Sequence, residues 1–156
     1  MNDLNDREQL LRFFRGDEAA VELAFMLARI SHIWDDLIDK DKPVSDHQVN
    51  AAFWLALVGV PANPFYQQHS EDLRPVMASG ILNYAAANAL ERRGDLHSLE
   101  IAHVIRYSIA DTVLLMATLA GGYAWGMEVA SDLRLLCQKD TFWNYLTEKR
   151  NEPTRT

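Results

Sequence analysis

Residues 18–43 read EAAVELAFMLARISHIWDDLIDKDKP. Val21, Leu23, Ala24, Phe25, Leu27, Ala28, Ile30 and Ile33 recur at helical spacing and cover much of the circumference, which makes this helix central to its fold. Asp17 is its expected N-cap, Glu18 sits in the favourable first turn, and Pro43 is expected to stop it. Its end carries Asp35, Asp36, Asp39 and Asp41. At about 100° per residue, Asp35 and Asp36 lie side by side with Asp39 one turn further on, so three carboxylates share a face. Like charges at this spacing repel, and the negative end of the helix dipole disfavours them again. A divalent cation relieves both penalties, and Mg²⁺ is typically held by one or two carboxylates plus substrate phosphates. The plain alternative is a solvated acidic end balanced by Lys40 and Lys42.

The rest of the chain reads as further helices. Asn5 or Asp6 is placed to cap a short first helix, REQLLRFF, which Gly16 ends. Ser45 with Gln48 three residues later forms a capping-box signature for a third helix, Asp46 to about Val58, ended by Gly59 and Pro61. Asn63-Pro64 restarts a helical turn. A long fourth helix is expected from Ser70 to Arg93, with Pro75 in its first turns and Gly94 after its end. Asp95 or Ser98 opens a fifth to about Leu119, Gly121-Gly122 breaks it, and a sixth runs from Met127 to Lys149. The tail from about residue 150 to 156 is expected to fray. Nothing alternates at period two and no strand-flanked hairpin turn is present. The expectation is all-α: one domain over residues 1–156, an antiparallel bundle of about six helices.

Composition narrows function. A net charge of -7, with basic residues scattered or at helix ends, argues against a nucleic-acid partner. Cys137 is the only cysteine, which excludes an internal disulfide and a cysteine-based zinc cluster. The N-terminus is too polar for a signal peptide. The uncharged window Thr112–Met127, 16 residues, falls short of the roughly 20 that span a bilayer. No membrane span and a cytoplasmic location are therefore expected.

Two further groups have chemical potential. His32, one turn before Asp35 and Asp36, can ligate a metal or orient Asp36; a structural histidine is the plainer reading. On the fifth helix Glu100, His103, Tyr107 and Asp111 form a polar line on an apolar helix. Asp111 either pairs locally with Arg106 or faces the aspartates of the second helix across the bundle. Glu100-x-x-His103 matches half of a di-iron carboxylate pattern, whose second copy the chain lacks. No P-loop, dinucleotide fingerprint or strained-turn serine is present.

At IWDDLIDKD the chain resembles the first aspartate-rich motif, D-D-x-x-D, of the isoprenoid (terpenoid) synthases. The resemblance implies that Asp35, Asp36 and Asp39 bind Mg²⁺ ions holding a diphosphate-containing small molecule, with Glu100, His103 or Asp111 completing the site. Two readings follow: a small helical protein with an aspartate-rich divalent-metal site, or a non-catalytic helical interaction or assembly protein with no metal site. Leu133, Leu135, Leu136, Phe142, Trp143, Tyr145 and Leu146 on the sixth helix, beside an apolar fifth, further suggest a two-fold homodimer. Alternatively those side chains fill the chain's own core.

Overall fold

Local rules place most helix ends. In a computed structural model, which describes residues 4–40 and 42–151, α1 (Leu4–Phe13) is followed by α2 (Glu18–Asp39). Asp17 caps α2 as expected, its carboxylate accepting the Ala20 N–H at 2.9 Å. α2 closes before Pro43: Lys40 turns left-handed at φ 57° and returns its N–H to the Asp36 carbonyl. Asp41 lies outside the described residues. α3 (Asp46–Trp54) starts in the expected capping box, with Ser45 N–H on Gln48 at 3.0 Å and Gln48 N–H on the Ser45 hydroxyl at 3.4 Å. It continues without a break through a π-helical segment, Leu55–Gly59, into the short α4 (Val60–Ala62).

α5 (Pro64–Glu91) begins earlier than Ser70. Asn63 caps it through the Tyr66 N–H at 3.0 Å and anchors the corner by donating to the Ala19 carbonyl at 2.9 Å. The helix is kinked at His69 (φ -121°, ψ 17°). Further on, Pro75 leaves the Glu71 carbonyl without its helical N–H donor. The Arg74 side chain donates to the Ser70 carbonyl at 3.2 Å in this turn. After the left-handed Gly94 (φ 73°) and the Asp95 cap come α6 (Leu96–Ile105), α7 (Ile109–Gly121), α8 (Tyr123–Cys137) and α9 (Phe142–Asn151). With two internal breaks bridged, the segments make the six expected stretches: α1, α2, α3–π–α4, α5, α6–α7 and α8–α9. Residues 152–156 of the tail expected to fray lie outside the described residues; Arg150 and Asn151 are helical.

Two internal breaks differ from expectation. The expected fifth helix turns at Arg106–Ser108, where the Ser108 hydroxyl donates to the Ile105 carbonyl at 2.6 Å and accepts from Asn83 at 2.9 Å. The expected sixth starts at Tyr123, directly after Gly122 (φ 84°), and is interrupted between Cys137 and Phe142. Asp6 is no cap. It sits inside α1, almost fully buried, and accepts from Lys139 at 2.7 Å.

α2 is the hub. It packs against α1, α3, the π segment, α4, α5 and α7. The main core gathers Leu10, Phe14, Val21, Leu23, Leu73, Val113, Met116 and Leu133, all fully buried. α7 and α8 form a hairpin whose close approach depends on Gly126: a Cβ there would lie 2.2 Å from the Thr118 hydroxyl. A smaller cluster, Ala87, Leu99, Ala102, Tyr145 and Leu146, closes the other end under α9. The side chains expected at a dimer interface divide accordingly. Leu133, Leu136, Tyr145 and Leu146 are internal, while Leu135 and Trp143 are exposed. The stretch Leu96–Gly121 is long and apolar enough to cross a bilayer by length and composition, though only weakly so, and it is interrupted by the turn at Arg106.

Candidate functional site

Asp39 is nearly buried and Asp35 lies at the rim beside it, and Arg106 meets both. Its guanidinium lies 2.7 Å from Asp35 and 3.4 Å from Asp39, and its other arm pairs with Glu91 at the end of α5. Lys149 of α9 reaches Glu91 at 3.2 Å and Asp39 at 3.8 Å. The side chains of Asp39, Glu91, Lys149 and Arg106 are only 8–12 % exposed. Tyr84 donates to Asp35 at 2.6 Å, and Tyr145 donates to Glu91 at 2.8 Å. Both phenol rings also flank the guanidinium, at 5.8 and 5.9 Å. Trp34 packs against Tyr84 in a tilted contact, centroids 4.3 Å apart, which confines the ring.

The electrostatics follow from this enclosure. Burial opposes the charge on Arg106, but Glu91, Asp35 and Asp39 more than reverse that, so its proton is held more tightly than an ordinary guanidinium's. Burial, then the hydrogen bond to Asp35, raises the Tyr84 phenol well above its ordinary value. Tyr145 rises for the same reasons, with Glu91 as its acceptor. Both phenols stay protonated and serve as donors.

The other expected site residues lie elsewhere. Asp36 is half-buried and lies 4.0 Å from the Lys42 ammonium rather than on Arg106. His32 is exposed, and no hydrogen bond joins it to Asp36. Glu100 is exposed beside His97 at 3.8 Å. Asp111 neither pairs with Arg106 nor faces α2, because Arg134 of α8 takes its carboxylate. His103 is buried among Tyr107, Phe142 and Tyr145, and its Nε2 has no hydrogen-bond partner. Among the described residues no group of three or more His, Cys, Asp or Glu side chains is placed to hold a metal. A Mg²⁺ held jointly by Asp35, Asp36 and Asp39 does not fit this geometry. Arg106 already contacts Asp35 and Asp39, and Asp36 lies beside Lys42.

Sequence reading missed Glu91, Lys149, Tyr84 and Tyr145. The signal was Arg106 itself, a lone cation in an apolar helix; a charge so placed needs partners.

A second feature is the reverse of this one. α3 and the π segment bury no residue. Phe53 (62 % exposed), Trp54 (66 %), Leu57 (71 %) and Val58 (42 %) stand on one face, at positions that neighbour each other on a helix. The other side of the stretch packs on α2, with Gly59 close to the Met26 sulfur. At roughly 200 Å² per whole aromatic side chain, Phe53 and Trp54 leave about 250 Å² bare, and the whole face comes to roughly 500 Å². That is near the upper end of what monomers expose, and such patches are often functional. Residues 48–70 contain no Asp, Glu, Lys or Arg in a chain that is 24% charged. π segments also recur at functional sites.

Compared with family models, with curated proteins and with solved structures, the chain matches none.

Proposed function

We propose that the chain is a non-catalytic helical interaction protein whose working surface is the bare apolar face of α3 and the π segment. One observation carries this reading: four large apolar side chains, 42–71 % exposed, lie together on an uncharged helix face. Leaving them in water forgoes burial worth on the order of 25 cal/mol per Å², which a partner recovers. The acidic end of α2 supports the same reading from the other side. Its carboxylates are spent on Arg106, Lys149 and two tyrosines, so they act as structural joints between α2, α5, α6 and α9. A metal–diphosphate role for that end finds no donor set in this geometry.

The test is site-specific photo-crosslinking with the full chain in the cells that make it. A photoreactive side chain at Leu57 is expected to give discrete adducts, and one at the exposed, charged Glu71 is not. Equal yields at the two positions would remove the docking surface.

A further inference from the structure

The occupant of this face follows from its charge and its area. On the docking reading just proposed, we infer that the face receives a second copy of this chain, in a two-fold pairing of α3 and its π segment with the same stretch of the mate. A surface meeting itself across a two-fold axis must tolerate its own charges, since each lies near its symmetry copy. The chain carries a net charge of -7, yet residues 48–70 contribute none of it. This stretch brings no charge of its own against its image. It also offers a heterologous partner no charge to recognise, the feature that usually confers steering and specificity.

The area agrees. A face of roughly 500 Å² on each copy gives about 1,000 Å² in total, the lower bound for a specific protein–protein interface. The two-fold axis crosses the helix, so the pair runs antiparallel. Phe53 with the small, exposed Ala56 three residues on gives the face a ridge and a gap, the relief on which helices pack. Aromatic side chains at the centre are what interfaces enrich. The side chains of the sixth stretch that would have made a different dimer are largely internal: Leu133, Leu136, Tyr145 and Leu146 are buried within the chain.

Sedimentation equilibrium of the full chain across micromolar concentrations tests this. The wild type is expected at twice the 17.7 kDa chain mass, and Trp54→Glu and Leu57→Lys, each at an exposed position, are expected to weaken association at least 100-fold. In a Cys137→Ser background, Leu57→Cys is expected to give a bis-maleimide-linked dimer, and Glu71→Cys is not. Wild-type protein at the chain mass throughout overturns the inference, as does a dimer whose dissociation constant neither variant moves. Chain-mass protein that floats with phosphatidylcholine vesicles overturns it too and assigns the face to a membrane surface. If the chain is monomeric while the Leu57 photo-crosslinker still captures other proteins, the self-pairing falls and the docking surface stands. If Leu57 captures nothing, both fall.

Discussion

The two ends of the chain's polarity range are handled in opposite ways. Around Arg106, five charged side chains from three helices and the turn after α6 are drawn together, four of them nearly buried. Along α3 and the π segment, Phe53, Trp54, Leu57 and Val58 are left in water. The charged cluster is satisfied internally: its carboxylates meet a guanidinium, an ammonium and two phenols. Among the described residues nothing covers the apolar face. On the proposed reading the paired cluster serves the fold, and the bare face serves the partner that covers it.

The largest expected effect breaks the cluster. Arg106→Met leaves Asp35, Asp39 and Glu91 without their shared cation and should cost about 3–5 kcal/mol, read as the shift in the urea midpoint at constant slope. Next, Asp39→Asn and Asp36→Asn separate structure from motif. Asp39→Asn should cost about 2 kcal/mol by weakening contacts with Arg106 and Lys149, while Asp36→Asn should stay within about 0.5 kcal/mol. Equal effects of the two would restore a common role for the aspartates.

An alkaline titration probes burial independently. Burial pushes the Cys137 thiol up to about 11 from 9.0, so the folded chain keeps a proton that the unfolded chain releases. That contribution is full below about pH 9 and is lost as pH rises through about 11, roughly 2 kcal/mol in all. Tyr107, pushed up to about 12 by burial and then by Asp140, extends the decline. Cys137→Ala should flatten the first part of the curve in urea titrations between pH 8.5 and 11. The smallest effect is on the open face: Trp54→Ser should change monomer stability by less than about 0.5 kcal/mol, measured in the Leu57→Lys background. A cost of several kcal/mol there would mean that Trp54 belongs to the chain's own core.

The aspartate motif was legible in the sequence, and so was the strain of placing like charges at a helix end. What relieves that strain was not. Arg106 lies 71 residues from Asp35 in the chain, and a turn at Ser108 without glycine or proline lets the two approach. Asp111 shows the same limit from the opposite direction, since spacing permitted Arg106 as its partner and the fold supplied Arg134. Apolar periodicity in α3 marked Val49, Ala52, Phe53, Leu55, Ala56 and Leu57 without saying which side faces in. Packing on α2 half-buries Val49, Ala52 and Leu55 and leaves Phe53, Ala56 and Leu57 outside.

The sequence by itself determined what depends on neighbours within a few residues. Those are the all-helical class, the Asp17 and Ser45 caps, the helical restart at Asn63-Pro64, the glycine stops at 94 and 122, and the apolar circumference that makes α2 the hub. Helical hydrogen bonds and caps close over three to five residues, so their signals are local. Only the tertiary structure decided which charges pair, which histidine is buried and which apolar face stays bare. Those outcomes turn on contacts between residues distant in the chain, whose geometry is set by how whole helices pack.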